Sequence, residues 1–271
     1  MAKKMTVADF KRYKDEGKRY TMITCYDAVT AAIVDASKVE VILAGDSVGN
    51  VVYGYDSTIP VTLDQMILAT KAVVKGAPNT FIVGDMPFAT YNVSCEQAVE
   101  TANRLMKEGG CDCVKLEGGA NMADKIAAVV KAGIPVMGHI GLTPQTVSAM
   151  GGLKVQGKTN VAAMRLFDDL KAIEEAGAFC CVIECVPTKV GNALVKSVDI
   201  PVFAAGDTAT GYGMNFFDMT GMFKAFCPKF VKQYLNLYDP ILKALNEFHD
   251  DVDAHAYPAP EHMYNVEVEG F

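Results

Sequence analysis

Acidic residues lie at the carboxyl ends of several apolar runs in this sequence. Asp46 and Asp85 each follow a glycine, and Glu117 lies two residues after Lys115. Three carboxylates gathered at one place repel, because two charges about 4 Å apart cost about 4 kcal/mol at an effective dielectric of roughly 20. Such a cluster is tolerable if a divalent cation lies within it or if protons are shared. Oxygen ligands select a hard ion, Mg2+ first, and the scattered histidines disfavour zinc.

Other polar side chains lie in or after further apolar runs. Lys115 and Glu117 point to the same face of a strand, where Lys115 either forms an internal salt bridge or receives an anionic substrate group. Apolar residues flank Glu184 on both sides, and we expect this desolvation to raise its pKa to a value suited to a general base. The alternative is that Glu184 is a buried acid paired with Lys115 or His139. For His139 itself a hydrogen-bonded structural role is favoured over catalysis.

These groups together suit chemistry next to a carbonyl group. A 2-oxo acid can chelate Mg2+ through its ketone and carboxylate oxygens, and the metal then stabilises the enolate that forms when a base removes the adjacent proton. The simpler alternative for a single acid after a strand is a helix N-cap, and Asp27 and Asp207 fit that interpretation. The glycines at 118–119 and 151–157 are weak candidates for holding phosphate, since no GKS/T or GxGxxG pattern accompanies them.

The elements that must position these residues alternate regularly between strand and helix. Continuously apolar runs, which are typical of strands covered on both faces, predict strands at 20–25, 39–44, 80–83, 111–116, 134–138, 178–185, 200–205 and, more weakly, 226–230. Helical patterns lie between them at 28–36, 63–75, 95–108, 121–131, 162–175 and 188–195. Eight such units favour an α/β fold of the (β/α)8 TIM-barrel type over an open doubly wound sheet, because no GxGxxG turn follows the first strand. A helix at 231–248 and a tail at 257–271 complete one predicted domain over residues 1–271.

Composition narrows the classes of function. The 271 residues carry a net charge of −7 and are 51% hydrophobic, which allows a large core and argues against a nucleic-acid or anionic-membrane surface. The eight cysteines include no CxxC pair and lie mostly in apolar runs, so we expect reduced thiols. No apolar run approaches the roughly 18 residues of a membrane span, and the N-terminus has no apolar signal segment. We therefore expect a cytoplasmic protein.

Several strings in the chain closely resemble the ketopantoate hydroxymethyltransferase family. They include Gly45-Asp-Ser-Val-Gly49, Asp85-Met-Pro-Phe88, Val114-Lys-Leu-Glu-Gly-Gly119, Gly138-His-Ile-Gly-Leu-Thr-Pro-Gln145 and Glu184-Cys-Val-Pro187, and the match runs in order along essentially the whole chain. The resemblance implies a (β/α)8 barrel that transfers a one-carbon unit from 5,10-methylenetetrahydrofolate to 3-methyl-2-oxobutanoate in pantothenate biosynthesis. It also implies a homodecamer in the cytoplasm.

The resemblance further implies roles for single residues. The metal-linked acids of the family fall on Asp46, Asp85 and Glu117, with Glu117 acting through water. Its substrate-binding residues fall on Ser47 and Lys115, with Asp46 and Asp85 also touching the substrate, and its proton acceptor falls on Glu184.

The chain departs from the family pattern after strand 7. It has Phe203-Ala-Ala-Gly-Asp-Thr208 in place of a glycine-rich stretch, and Ala69 replaces a common histidine. The alternative functions are an Mg2+-dependent 2-oxo acid lyase of a related barrel family and a non-catalytic binding paralogue.

Overall fold

The computed structural model describes residues 4–224 and 227–270 of the chain. Eight parallel strands follow one another around a closed barrel, and β8 pairs with β1 to complete it. The strands are β1 (Tyr20–Thr24), β2 (Val41–Ala44), β3 (Phe81–Asp85), β4 (Cys113–Glu117), β5 (Val136–Gly141), β6 (Cys180–Glu184), β7 (Val202–Phe203) and β8 (Gly211–Asn215). The predicted (β/α)8 barrel is confirmed.

Helices connect most of these strands. They are α1 (Val7–Asp15), α2 (Ala28–Asp35), α3 (Val48–Val51), α4 (Leu63–Gly76), α5 (Cys95–Arg104), α6 (Ala123–Lys131), α7 (Asn160–Glu175), α8 (Thr188–Ser197), α9 (Phe216–Thr220) and α10 (Tyr238–Asp253). The six helices predicted between strands correspond to α2 and α4–α8. Thr62, Ser94 and Thr159 each accept a hydrogen bond from the backbone N–H three residues later, as expected of N-cap residues.

The eighth strand is not where the sequence pattern predicts it. Of the predicted strand at 226–230, Phe226 lies outside the described residues and 227–230 form no strand. The barrel closes instead with β8, which holds two glycines. A Cβ at Gly211 would lie 2.4 Å from the Phe203 ring, and one at Gly213 would lie 2.8 Å from the Met22 carbonyl oxygen. Close packing therefore requires glycine at both positions, and this removes the apolar signal of a strand.

The inside of the barrel is apolar towards the amino-terminal ends of the strands, which form its lower end. Alternate residues of the strands point inward, and they form a cluster with Phe10 of α1 (Tyr20, Met22, Val41, Leu43, Phe81, Val83, Cys113, Met137, Cys180, Val182, Phe203). The Phe10 ring is fully buried and meets the rings of Tyr20, Phe81 and Phe179 edge-on at 4.8–5.1 Å. Helix α1, which the sequence analysis does not predict, therefore fills the lower end of the barrel.

The chain divides after Phe216 into two compact units. The first unit contains all eight strands, and the second contains α10, which begins at Tyr238 rather than at the predicted residue 231. Exposed apolar side chains lie along α10 at Ile241, Leu245 and Phe248, a spacing typical of one helix face. Across residues 4–224 and 227–270, no helix combines the length and the apolar character needed to cross a bilayer. A single domain over residues 1–271 stays a prediction.

Replacing Phe10 with alanine tests its role in the core. We expect Phe10→Ala to lower the free energy of unfolding by about 3–5 kcal/mol, because it leaves a cavity between three aromatic rings. Urea unfolding followed by circular dichroism measures the change, and Lys11→Ala, on the exposed side of the same helix, is the control. A loss below about 1 kcal/mol for Phe10→Ala would show that α1 does not contribute to the barrel core.

Candidate active site

The inward-pointing positions change from apolar to polar at the carboxyl ends of the strands. Asp85 lies two residues after Val83 on β3. Lys115 and Glu117 lie two and four residues after Cys113 on β4. His139 of β5 and Glu184 of β6 follow the same alternation. The register places Asp85 opposite Lys115 and Glu117 opposite His139 on adjacent strands. The barrel therefore brings these polar side chains together above its apolar core.

Lys115 and Asp85 form a buried ion pair. The Lys115 Nζ lies 2.6 Å from Oδ1 of Asp85 and 3.6 Å from Oε1 of Glu117, and each of the three residues exposes 3% or less of its surface. Burial alone would lower the pKa of Lys115, but the carboxylates of Asp85 and Glu117 raise it above its usual value. Lys115 therefore stays charged. The internal salt bridge considered for Lys115 is present.

Asp46 reaches the cluster from the loop after β2. Its backbone N–H donates to Oδ2 of Asp85 at 3.1 Å, and Nε2 of Gln145 donates to its Oδ2 at 2.9 Å. Burial, followed by repulsion from Asp85, raises the pKa of Asp46 well above its usual value. Burial likewise raises the pKa of Asp85, although Lys115 opposes this. The next residue, Ser47, shares a hydrogen bond of 2.8 Å with the Tyr26 hydroxyl.

His139 lies between two carboxylates. Its Nδ1 is 3.3 Å from Oε1 of Glu117 and its Nε2 is 3.3 Å from Oε2 of Glu184, at ion-pair distance but without hydrogen-bond angles. Burial would lower the pKa of His139, but Glu117 and Glu184 raise it to about 9. Burial would raise the pKa of Glu117, but His139 and Lys115 lower it. His139 is therefore an imidazolium that links the two acids.

Glu184 is more open than the sequence analysis expects. Its side chain remains 30% exposed, so its apolar neighbours in the chain leave part of it open. Of these neighbours, Cys181 and Ile183 point away from the lumen, whereas Val182 points into it on the same face as Glu184. The backbones of β5 and β6 pack closely at this point, since a Cβ at Gly141 would lie 2.2 Å from the Glu184 carbonyl oxygen. Cys185 adopts a φ of 50°, a left-handed conformation that turns the chain directly after Glu184.

Two residues that the sequence analysis does not select support the cluster. The Gln145 backbone N–H donates to Oε2 of Glu117 at 3.0 Å, while its side chain binds Asp46. The Tyr91 hydroxyl donates to Oε1 of Gln145 at 2.6 Å and is fully buried. Gln145 ends one of the quoted family strings, which is a usable signal, whereas nothing in the sequence around Tyr91 marks it.

Two other acids have local roles. Asp27 accepts hydrogen bonds from the N–H groups of Val29 and Thr30 and is the N-cap of α2, as predicted. Asp207 is not an N-cap, because strand β8 follows it; its carboxylate instead accepts a hydrogen bond from Asn192.

The cluster has more carboxyl groups than cations. Four carboxyl groups (Asp46, Asp85, Glu117 and Glu184) face two cations, Lys115 and His139. Within the described ranges, no three His, Cys, Asp or Glu side chains form a ready-made metal-ligand group. Mg2+ does not need one, because it keeps several waters and uses one or two carboxylates together with substrate oxygens. Oδ1 of Asp46 receives no hydrogen bond from the described residues, so this hard oxygen is available to a cation.

Comparison with known proteins gives a consistent result. Residues 4–260 match the family model described as ketopantoate hydroxymethyltransferase. The 3-methyl-2-oxobutanoate hydroxymethyltransferase of Heliobacterium modesticaldum is 51% identical, over 99% of this chain and 98% of that protein. The enzyme of the same name from Clostridium beijerinckii is 50% identical, over 97% of each chain.

Among solved structures the similarity is to the fold. Phosphonopyruvate hydrolase aligns with a TM-score of 0.61 at 13% identity, over 95% of this chain and 93% of that one. A 2,3-dimethylmalate lyase aligns with a TM-score of 0.59 at 12% identity, over 100% of this chain and 92% of that one.

Removing Lys115 tests the buried ion pair independently of any reaction. We expect Lys115→Met to reduce the free energy of unfolding by about 3–5 kcal/mol, because it leaves Asp85 buried without its cation. Adding Asp85→Asn should restore part of this loss. Urea unfolding in a chelating buffer is the measurement, and Lys171→Ala, which removes an exposed ion pair with Glu174, is the control. Equal stability of Lys115→Met and the wild type would contradict the charge pairing described above.

Proposed function

The chain belongs to the ketopantoate hydroxymethyltransferase family, and from that premise we propose how its barrel forms ketopantoate from 3-methyl-2-oxobutanoate. The enzyme transfers a hydroxymethyl unit in pantothenate biosynthesis. The observation that carries the proposed mechanism is the buried series of contacts from Asp46 through Asp85, Lys115, Glu117 and His139 to Glu184.

Asp46 and Asp85 would hold Mg2+, and Glu117 would act on it through water. The indirect role of Glu117 rests on the family resemblance, while Asp46 keeps an Oδ1 that receives no hydrogen bond from the described residues. The excess of carboxylates over cations supports a dication at this place. When bound, the ion supplies Lewis-acid stabilisation of the negative charge that develops on the substrate keto oxygen.

Ser47 and Lys115 would bind the keto acid, with Asp46 and Asp85 also facing it. Lys115 is fixed by Asp85 and stays charged in the buried lumen, so it can attract the substrate carboxylate. Ser47 would donate its hydroxyl to a substrate oxygen. These groups would orient C3 of the substrate towards the open end of the lumen.

Glu184 would accept the proton from C3 of 3-methyl-2-oxobutanoate. Its partial exposure leaves room for a substrate C–H, and His139 at 3.3 Å holds the carboxylate in a fixed orientation. The electron pair released from the C–H bond becomes the nucleophile. It forms the new C–C bond with the one-carbon unit, and both C–N bonds that hold this carbon in the donor break. Water provides the hydroxyl group, and the two donor nitrogens take up the proton removed by Glu184 and the remaining proton of that water.

The proposed donor is 5,10-methylenetetrahydrofolate, as the family resemblance implies. The same resemblance supports a homodecamer in the cytoplasm, and all eight cysteines carrying free thiols are compatible with a reducing compartment. The net charge of −7 gives no support to a nucleic-acid partner.

Glu184→Gln tests the proton acceptor. We expect the variant to bind 3-methyl-2-oxobutanoate with near wild-type affinity, while turnover falls by about 10²- to 10⁴-fold because the amide cannot accept the proton. The rate of deuterium exchange at C3 of 3-methyl-2-oxobutanoate, measured by NMR in the absence of the one-carbon donor, should fall by a similar factor. Glu175→Gln, an exposed change on α7, is the control. Normal exchange in Glu184→Gln would remove this residue from its proposed role.

Removing the metal tests the acid cluster. We expect a chelator to abolish C3 exchange and Mg2+ to restore it. Asp46→Asn should raise the Mg2+ concentration needed for half-maximal exchange by at least about tenfold, since it removes one charged oxygen ligand. Asp168→Asn, exposed on α7, controls for the loss of one charge. Full exchange in the presence of chelator would count against a metal at this site.

A further inference from the structure

Gln145 lies on a short 3-10 turn after β5, Pro144–Thr146, and exposes only 1% of its surface. We propose that Gln145 is a positioning residue for the metal: its side chain holds the Asp46 carboxylate so that Oδ1 is left free for Mg2+, and Tyr91 holds the Gln145 amide in turn. The inference rests on the proposed function, because it takes Asp46 as a ligand of Mg2+. It assigns a role in metal binding to two residues that the mechanism above does not use.

One hydrogen bond determines how the Asp46 carboxylate is turned. Nε2 of Gln145 donates to Oδ2 of Asp46 at 2.9 Å, and in residues 4–224 and 227–270 no other side chain donates to this carboxylate. The torsion that rotates a carboxylate about its Cβ–Cγ bond has only broad preferences of its own. Without Gln145 this rotation would be free, and the carboxylate would have to be ordered again whenever the metal binds.

The surroundings of Gln145 allow its amide only one orientation. Its Nε2 also donates to the Met86 carbonyl oxygen at 2.9 Å, and a carbonyl oxygen can only accept. Its Oε1 accepts from the Tyr91 hydroxyl at 2.6 Å. A flipped amide would place its oxygen against the Met86 carbonyl and the Asp46 carboxylate. Both N–H groups of the amide are therefore committed, and one of them always faces Asp46.

The same amide joins the two acids that would hold Mg2+. Met86 directly follows Asp85 in the chain, so the two N–H groups of Gln145 tie the Asp46 carboxylate to the end of β3. The Asp46 backbone N–H makes a second link, because it donates to Oδ2 of Asp85 at 3.1 Å. Mg2+ demands near-ideal octahedral geometry and therefore favours oxygen ligands that are held at a fixed separation.

Tyr91 connects Gln145 to β4 through a buried chain of hydrogen bonds. The Glu117 backbone N–H donates to the Tyr91 hydroxyl oxygen at 3.2 Å, and the hydroxyl donates to Gln145. The Gln145 backbone N–H then donates to Oε2 of Glu117 at 3.0 Å, a bond that survives any substitution of the Gln145 side chain. Removing one partner from such a buried chain leaves its neighbour unsatisfied. The orientation of Asp46 therefore depends on Tyr91 through Gln145.

Gln145→Met tests the proposal, because methionine has a similar length but no donor for Asp46. We expect the dissociation constant for Mg2+, measured by calorimetry without substrate, to rise by about 10- to 100-fold, since a group that orients a metal ligand is lost. The EPR spectrum of bound Mn2+ should also change, because it reports the arrangement of the ligands. The Tyr91 hydroxyl can turn to the Glu117 carbonyl oxygen, 3.3 Å away, so we expect the variant to fold.

Gln97→Met is the matched control. The Gln97 amide likewise accepts from a backbone N–H, that of Val93, and donates to a backbone carbonyl, that of Ala89, but neither partner belongs to the acid cluster. We expect Gln97→Met to bind Mg2+ with wild-type affinity and to give the wild-type Mn2+ spectrum. Wild-type Mg2+ affinity in Gln145→Met, or an equal loss of affinity in Gln97→Met, would overturn the inference and leave the proposed function standing.

Tyr91→Phe shows whether Tyr91 acts through Gln145. Loss of one neutral hydrogen bond should raise the dissociation constant for Mg2+ by about fivefold, and Tyr91→Phe added to Gln145→Met should cause no further rise. Additive losses would overturn the role of Tyr91. If Gln145→Met does not fold, wild-type Mg2+ affinity in Tyr91→Phe overturns the inference. A wild-type enzyme that binds no Mg2+ would overturn this inference together with the metal site of the proposed function.

Discussion

Burial of charge inside the barrel is the constraint on which the rest of the site depends. Asp85, Lys115, Glu117 and His139 each expose 3% or less of their surface, above a core of mostly apolar side chains. An isolated carboxylate in such surroundings costs several kcal/mol, so each charge must lie beside an opposite one. Strand register fulfils this condition, because it sets Asp85 against Lys115 and Glu117 against His139. The ion pairs are therefore a consequence of the strand alignment.

The same alignment links the apolar core to the polar site. Side chains alternate along a strand with a period of two, so a shift of one residue would turn Lys115 and Glu117 outward together with Cys113. The outward positions are equally constrained. A Cβ at Gly138 would lie 2.7 Å from Ile173 of α7, which shows how closely that helix packs against β5. This contact fixes the position of α7 against the barrel.

Much of this architecture is predictable from sequence because the signals are local. Continuous apolar runs and N-caps such as Thr62 predict the strands and helices, and polar residues at strand ends predict which side chains meet. Strand β8 escapes prediction because Gly211 and Gly213 are selected for contact with Phe203 and Met22, which are distant in sequence. The partial exposure of Glu184 is not predictable from the sequence for a related reason. Apolar neighbours in the chain do not bury a side chain when they point to the opposite face of the strand.

The two ends of the acid cluster have different surroundings, and these suit different chemistry. Asp46 and Asp85 are enclosed at one end, where carboxylates without enough cations create a place for a dication. Glu184 lies at the other end with 30% of its side chain open, and His139 joins it to Glu117. A keto acid bound between them would have its oxygens at the enclosed end and its C–H bond at the open end. In the proposed mechanism, similar carboxyl groups would thus take separate roles because the barrel buries them to different depths.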